Sequence, residues 1–322
     1  MMKRMMTALF ILLLASVQSG EPAETAARLL ARIPAGTLTL QQGDWLYSRN
    51  ELEHLSRGPL TKQRIVSVSA CKRKKNADPA AALQYFHQQL LDLNISLIII
   101  PVPPKCAIHP LSGMKKGEAM NYLKPYYEEL GKSGLVILDP AEIFLKKPSV
   151  QAYCRTDAHW SPSGIRLTVD ALADKISLRG NSVFEIQKHS IRTSGDLAKS
   201  LSAAKPLQED LPLETVSGNV FSEESPVLVI GDSHTLIFSA GGDMLAEKSG
   251  FCELLAAKLK MPVDRLGVRG SASSSVRIDL YRRSVRQPDW LKRKKYIIYL
   301  FSCREFTETI SGWSRVPVMK KP

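Results

Sequence analysis

Two side chains separated by one residue could supply the acid–base part of an acyl-transfer site. Asp157 and His159 lie in the segment 156–164 (TDAHWSPSG), and residues i and i+2 project to the same side of an extended backbone. Asp157 could therefore orient one nitrogen of the His159 ring and leave the other for a serine hydroxyl, as in a catalytic triad. Two alternatives stay open: a structural helix cap, and a metal-binding pair, for which no third ligand cluster is evident.

Ser233 is the candidate nucleophile. It stands in Gly231-Asp232-Ser233, directly after the apolar run 226–230. A serine hydroxyl is a weak nucleophile until a base takes its proton, so it needs an imidazole within hydrogen-bond reach. The tripeptide alone is also consistent with a turn whose serine caps a helix. We interpret Asp232 as a turn former, and we do not assign the neighbouring His234 as the base because adjacent side chains are expected to diverge.

Short apolar runs alternate with helical patterns, and these elements must position the candidate residues. Alternation of this kind indicates βαβ units around one open parallel sheet, whose functional edge lies at the carboxyl ends of the strands. The more polar residues 180–225 are interpreted as an irregular excursion from the sheet. The predicted strands are 95–100, 135–138, 226–230, 263–268 and 296–301, and the predicted helices are 79–93, 121–131, 163–176, 244–259 and 274–283.

Local signals fix some of these boundaries. Asp78 and Pro79 predict the start of the first of these helices, as N-cap and first helical residue. The proline-rich segment 101–104 predicts the end of the first strand. No internal repeat or low-complexity linker divides the chain, so we predict a single domain.

The first 20 residues are typical of a secretory signal peptide. Lys3 and Arg4 precede an uncharged run over 5–17, and small residues follow before the chain turns polar. The run is shorter than the roughly 20 residues that span a membrane as a helix, although an uncleaved anchor stays open as an alternative. We therefore expect a mature domain, 21–322, in the periplasm or otherwise exported.

Composition narrows the class of protein. The chain has 322 residues, of which 44% are hydrophobic and 23% charged, which excludes disordered, fibrous and polytopic membrane classes. The net charge of +13, or +11 without Lys3 and Arg4, lies in short clusters at 72–75, 115–116, 146–147 and 292–295. These are either solvated loops or a surface for an anionic glycan or phospholipid headgroups.

Several partners and cofactors are not expected. No nucleic-acid-binding motif accompanies the basic clusters. No nucleotide-binding glycine pattern is present, so no nucleotide cofactor is predicted. The five cysteines, Cys71, Cys106, Cys154, Cys252 and Cys303, have no CxxC spacing and form no metal framework; disulfides and buried free thiols remain alternatives.

Together, the two candidate segments resemble the alginate O-acetyltransferases, whose SGNH-hydrolase-like domain is found in the bacterial periplasm. The family has an Asp-x-His-Trp-(Ser/Thr)-Pro-x-Gly segment upstream and Gly-Asp-Ser downstream, and residues 157–164 and 231–233 are similar to these. Shorter similarities, in the family's order, occur at 43–52, 98–110, 195–197 and 303–306. The resemblance covers most of the mature chain. It implies an α/β fold with an open parallel sheet flanked by helices in three layers.

The resemblance also implies an activity, which is O-acetylation of polysaccharide hydroxyls outside the cytoplasm. Ser233 would be the nucleophile, His159 the general base and then acid, and Asp157 the orienting residue. A membrane-bound acyltransferase would be the acetyl donor and a neutral or acidic polysaccharide the acceptor, with no cofactor or metal. An acetyl esterase of the same fold and a non-catalytic glycan-binding or assembly protein are the alternatives.

Two further site residues follow from the resemblance. The backbone N–H groups of Ser233 and Gly270 are candidates for the oxyanion hole, which stabilises the tetrahedral intermediate. This class of hydrolase usually has an Asn after a later strand, whereas here the segment 302–304 (SCR) follows the last predicted strand. Arg304 is therefore a candidate to bind an acyl oxygen or an acidic sugar, and an ion pair with Glu305 or another carboxylate is the alternative.

Overall fold

A central parallel sheet organises the protein, whose computed structural model describes residues 21–201 and 205–320. The predicted signal peptide, residues 1–20, lies outside the described residues. Five strands form the sheet in the order β4-β3-β9-β7-β8, and two antiparallel pairs, β1–β2 and β5–β6, lie outside it. The strands are β1 (Thr39–Gln42), β2 (Trp45–Ser48), β3 (Ser96–Val102), β4 (Val136–Ile137), β5 (Glu185–Thr193), β6 (Glu209–Ser217), β7 (Val227–Gly231), β8 (Asp264–Gly267) and β9 (Tyr296–Ser302).

Helices cover both faces of this sheet. They are α1 (Pro22–Arg32), α2 (Arg49–Ser56), α3 (Lys62–Val68), α4 (Pro79–Leu91), α5 (Lys105–Ile108), α6 (Lys124–Lys132), α7 (Pro140–Leu145), α8 (Pro162–Ala173), α9 (Asp196–Ser200), α10 (Phe251–Leu259), α11 (Ser275–Arg286), α12 (Pro288–Lys292) and α13 (Glu305–Glu308). Short 3₁₀ helices occur at Lys74–Asn76, Glu118–Tyr122, Ser233–Thr235 and Gly242–Met244. In the described part of the chain, no helix combines the length and the apolar character needed to cross a membrane.

The three central strands, β3, β9 and β7, are buried on both faces because they are apolar at nearly every position. Ile298 and Leu300 of β9 belong to one core with residues of α8 and α10, whereas Ile297 and Tyr299 belong to a second core with residues of α4, α6 and α11. Alternate residues of a strand point to opposite faces, so helices pack against each side. The predicted α/β fold with three layers and one domain is confirmed.

The five predicted strands are those of the sheet, each within two residues of its predicted bounds. The strand ends within the predicted stop segment 101–104, but two residues later than predicted, because β3 continues through Pro101 to Val102. Pro101 pairs with Phe301 of β9, while the short β4 pairs only with Ile98 and Ile99. The missing N–H of Pro101 is therefore on a side where no strand needs it.

Two other predictions need correction. The predicted helix 244–259 is helical only over α10, since Leu245 and Lys248 have positive φ values of 70° and 57°. The residues 180–225 do leave the central sheet, but they are not irregular throughout, because β5 and β6 pair along nine residues each as an antiparallel ribbon. We call this pair the β5–β6 ribbon. By contrast, the start of α4 is confirmed, since the Asp78 carboxylate accepts from the N–H groups of Ala80 and Ala81.

Of the two alternatives for the five cysteines, disulfides and buried free thiols, the structure shows the free thiols. All five are buried free thiols in the structure, where they pack as small apolar side chains.

Candidate active site

Ser233 lies at the carboxyl edge of the sheet, directly after the central strand β7. Gly231 makes the turn possible, because a Cβ there would lie within 2 Å of the Leu300 carbonyl oxygen of β9. Ser233 then opens the 3₁₀ helix Ser233–Thr235. The N-cap of that helix is Asp232, whose carboxylate accepts from the N–H of His234. The predicted turn role of Asp232 is confirmed, and the hydroxyl of Ser233 is free for other contacts.

The structure brings the three predicted side chains together. The Asp157 Oδ1 atom lies 2.6 Å from Nδ1 of His159, and Nε2 of the same ring lies 2.7 Å from Oγ of Ser233. Asp157 and His159 are 1% and 7% exposed. The helix-cap alternative does not apply to either residue, because the N-cap of α8 is Ser161.

Hydrogen bonds set the charge state of the pair. Burial disfavours the charged form of Asp157, but the His159 ring and two backbone N–H donors outweigh it and hold the pKa of this carboxyl well below its usual value. Burial likewise disfavours a charged His159, and the adjacent Asp157 carboxylate outweighs it and raises the pKa of the imidazole. The ionised Asp157 therefore accepts from Nδ1–H, which leaves Nε2 as the acceptor for the Ser233 hydroxyl.

Buried charges hold the loop that carries Asp157 and His159. Glu209 of β6 accepts from the N–H groups of Arg155 and Thr156, each at 2.8 Å. Lys105, fully buried after β3, donates from Nζ to the main-chain oxygens of Asp157 and Leu46 at 2.5 and 2.7 Å. Because Glu209 and Lys105 each bond main-chain groups of this loop, the backbone of the loop is fixed from two sides.

The β5–β6 ribbon reaches the site through the segment between its strands. The N–H of Asp196 donates to Oδ2 of Asp157 at 2.9 Å, and Gly195 packs directly on the backbone of Asp157. Sequence analysis did not assign a role to Lys105, Gly195, Asp196 or Glu209. The short similarities at 98–110 and 195–197 were the signal that could have identified the first three.

The cavity that contains Ser233 has a volume of about 460 Å³, within the range of small-ligand sites. Gly270, in the loop after β8, lines it with a φ of +84° that favours glycine. Arg304, at the N-terminus of α13, lines it too. Among the described residues no carboxylate lies within salt-bridge distance of Arg304, so the predicted alternative of an ion pair with Glu305 is not found.

One group in the site has the residue types of a metal site. Asp157, His159 and Asp196 carry candidate ligand atoms that all lie within 4.8 Å of one another. These atoms are already engaged: Oδ1 of Asp196 accepts from the N–H groups of Ala158 and Leu197, each at 2.7 Å, and Asp157 and His159 bond to each other. Hydrogen bonding within the protein therefore accounts for this cluster.

His234 does not diverge from the site as predicted. Its ring centroid lies 4.8 Å from that of His159, with a 61° angle between the planes. Its Nδ1 atom lies 2.9 Å from Oδ1 of Asp232. The 3₁₀ turn that begins at Ser233 explains the difference, because it redirects the chain immediately after the strand and brings the two rings together.

Comparisons with known proteins identify the family and the fold. The family model of the SGNH hydrolase-like domain of acetyltransferase AlgX matches residues 39–288. The structure is similar to the O-acetyltransferase domain of Pseudomonas putida AlgJ, with a TM-score of 0.61 and 18% identity over 83% of this chain and 91% of that one.

It is also similar to Pseudomonas aeruginosa AlgX, with a TM-score of 0.56 and 18% identity over 82% of this chain; the match spans 61% of the AlgX chain. At this level of identity, the two structures show a shared fold. A comparison with curated proteins found no match. The family model covers most of the chain, and the protein therefore belongs to the family of SGNH hydrolase-like acetyltransferase domains of the AlgX type.

Proposed function

We propose that this protein is an exported O-acetyltransferase that carries an acetyl group on Ser233 and passes it to a polysaccharide hydroxyl. The observation that supports it most is the position of the His159 ring, which lies within 2.7 Å of both the Asp157 carboxylate and the Ser233 hydroxyl. Membership of an acetyltransferase family supports the class of reaction.

In the first half-reaction, Oγ of Ser233 attacks the carbonyl carbon of the acetyl donor while Nε2 of His159 takes the Oγ proton. The carbonyl oxygen becomes an oxyanion, for which the backbone N–H groups of Ser233 and Gly270 are the proposed donors. Loss of one such donor typically raises the barrier by about 3 kcal/mol. The bond to the donor's leaving oxygen then breaks, and that oxygen receives the proton from His159.

In the second half-reaction, a hydroxyl of the acceptor gives its proton to Nε2 of His159 and its oxygen attacks the acetyl carbon. The bond between the acetyl carbon and Oγ breaks, and Ser233 recovers its proton from His159. Asp157 stabilises the imidazolium that forms in both halves without taking its proton. The acetyl group ends on the acceptor, and the enzyme returns to its starting state.

Arg304 is proposed to bind an acyl oxygen or an acidic group of the acceptor. Arg304 lines the cavity, and no described carboxylate lies within salt-bridge distance of it, so its charge is available to a ligand. Export, indicated by residues 1–20, would separate the protein from cytoplasmic acyl carriers. A membrane-bound acyltransferase is therefore the proposed donor.

The acyl-serine intermediate provides the test. The protein is incubated with p-nitrophenyl acetate, and the adduct is located by mass spectrometry. We expect an acetyl group on Ser233 that is absent in Ser233→Ala and forms at least about 10³-fold more slowly in His159→Ala. Ser67→Ala and His189→Ala are matched controls, because both side chains lie outside the cavity, and they should acylate at the normal rate.

An oligosaccharide acceptor separates transfer from hydrolysis. Appearance of acetyl groups on the sugar supports the transferase, and acetate release that does not respond to the sugar contradicts it in favour of the esterase alternative. An adduct on another residue, or an unchanged rate in His159→Ala, contradicts the assigned roles of the side chains.

A further inference from the structure

Two Asp-x-His pairs of the same local geometry flank Ser233. In the first, Oδ1 of Asp157 receives the backbone N–H of His159 at 2.9 Å and faces its Nδ1 atom at 2.6 Å. In the second, Oδ1 of Asp232 receives the backbone N–H of His234 at 2.9 Å and faces its Nδ1 atom at 2.9 Å. The mechanism proposed above uses only the first pair.

The second pair holds His234 in one tautomer. Asp232 also receives the backbone N–H of Ser302 at 2.7 Å. Burial disfavours a charged Asp232, but the His234 ring and the two backbone donors hold the pKa of this carboxyl below its usual value. Burial lowers the pKa of His234 and, together with the nearby His159 and Arg304, outweighs the Asp232 carboxylate, which acts in the opposite direction. A neutral His234 that donates from Nδ1 to Asp232 carries a lone pair on Nε2.

This lone pair has no hydrogen-bond partner in the part of the chain that the structure describes. His234 is 6% exposed and lines the same cavity as Ser233, and within residues 21–201 and 205–320 no group forms a hydrogen bond to its Nε2 atom. The ring is held between His159 and Trp160, at centroid distances of 4.8 and 5.7 Å. The ring is held in one orientation and Nε2 is not among the fully buried polar atoms, so a ligand or water in the cavity can supply its donor.

We propose that His234 is a substrate-binding residue that accepts a hydrogen bond from a second hydroxyl of the acceptor, next to the hydroxyl that is acetylated. This inference rests on the proposed function. The acetylated hydroxyl must meet Nε2 of His159, and the adjacent ring of His234 can receive a hydroxyl on the neighbouring carbon. The site then selects acceptors that carry two neighbouring hydroxyls, as sugar rings do, over acceptors that carry one.

Two substitutions at position 234 separate the contacts of the ring. In His234→Asn, the amide nitrogen can occupy the position of Nδ1 and donate to Asp232, but nothing replaces Nε2. In His234→Gln, the longer side chain brings an amide oxygen to the position of Nε2, where it can accept a hydrogen bond. The first variant therefore preserves the internal contact, and the second preserves the contact that the proposal assigns to substrate.

The assay measures both half-reactions with simple probes. The burst of p-nitrophenol from p-nitrophenyl acetate counts competent sites and gives the acylation rate. Transfer from the acyl-enzyme is then measured to cyclohexane-1,2-diol and to cyclohexanol. His234→Asn also removes a ring that packs against His159, so the readout is the ratio of kcat/KM for the diol to kcat/KM for cyclohexanol. We expect His234→Asn to lower this ratio about five- to tenfold, the effect of one neutral hydrogen bond. His234→Gln should keep the preference for the diol.

Two results would overturn this inference. One is an equal preference for the diol in the unmodified protein and in His234→Asn. The other is a parallel loss in the burst rate and with both acceptors, which would assign His234 a structural role. Failure of the proposed function itself is distinct, since it would appear as the absence of an acyl-Ser233 burst in the unmodified protein.

Discussion

Substitution of Gly195 by alanine should displace Asp157 and so misalign the Asp157–His159 pair. Gly195 precedes α9 in the segment that closes the β5–β6 ribbon, and its φ of −77° is open to any residue. A Cβ at this position would lie 2.3 Å from Cβ of Asp157, 2.5 Å from its Cα and 2.5 Å from the carbonyl oxygen of Thr156. The substitution is therefore opposed by steric overlap of the new Cβ with Asp157 and with the main chain of Thr156, which cannot rotate away as a flexible side chain could.

The size of the effect follows from these distances. Ordinary van der Waals contact begins at 3.4 Å, so Asp157 and Gly195 must separate by about an ångström, as in an overpacked core that loses 1–3 kcal/mol of stability. The same movement pulls Asp157 from the N–H of Asp196, now 2.9 Å away, and tilts the His159 ring. A misplacement of about 1 Å at a reacting group typically costs about 100-fold in rate.

Burst kinetics with p-nitrophenyl acetate and urea unfolding test this prediction together. We expect Gly195→Ala to acylate Ser233 about 100-fold more slowly. Gly131→Ala is the matched control, because Gly131 lies in α6 and a Cβ there meets nothing within 4 Å. It should acylate normally and gain about 0.5–1 kcal/mol of stability from the better helix propensity of alanine.

The reasoning is refuted if Gly195→Ala acylates at the normal rate. A loss of stability without a loss of rate would show that the contact supports the fold and does not position Asp157. An equal loss of rate in Gly131→Ala would show that the assay responds to any glycine substitution.

Three other predictions concern titration and burial. Because the Asp157 carboxylate raises the pKa of His159, the acylation rate should fall as the pH decreases through a value above 6.5. Asp157→Asn should shift this acid limb of the pH–rate profile to lower pH and slow the maximal rate about 10⁴-fold. Asp264→Ala removes the partner of the fully buried Lys294, 2.8 Å away, and should lower the free energy of unfolding by about 3–5 kcal/mol in urea. Burial raises the pKa of Asp139 to about 7, so the protein should lose stability as pH rises towards that value, and Asp139→Asn should be more stabilising at pH 8 than at pH 5.

Each of these predictions has a control or a contradicting result. An acid limb below pH 6.5 in the unmodified protein would contradict the effect assigned to Asp157. Asp289→Ala breaks only an exposed ion pair with Lys292 and should change the stability by less than about 1 kcal/mol. Asp139 caps α7 through the N–H of Ala141, a role that an asparagine oxygen can keep; a stability difference that does not vary with pH would contradict the buried charge.

The central sheet could be predicted because its strands carry a strong local signal. A strand such as β9 is covered on both faces and reads as an uninterrupted apolar run. The β5–β6 ribbon has no such signal, since β5 is exposed along almost its whole length. In the predicted helix 244–259, the part before α10 failed for a different reason, because its composition suits a helix while the backbone at Leu245 and Lys248 has positive φ.

The residues of the candidate site also divide into those that could be predicted from the sequence and those that could not. Asp157, His159 and Ser233 could be predicted, because their types and spacing are those of one known chemistry. Glu209 and Lys105 could not, because a charge that binds main-chain groups of a distant loop leaves no pattern of its own in sequence. His234 was misjudged because the direction of its side chain depends on the 3₁₀ turn after β7, which the apolar run does not reveal.

Ser233 and its base His159 are positioned by different parts of the fold, which has a consequence for the newly made chain. Ser233 belongs to the sheet, whereas the orientation of His159 depends on a ribbon that is joined to the loop through Asp196 and Glu209. A chain that has formed the sheet but not yet docked the ribbon carries a serine of ordinary reactivity. Chemical competence therefore requires the docked ribbon as well as the sheet, and labelling of Ser233 would report that docking.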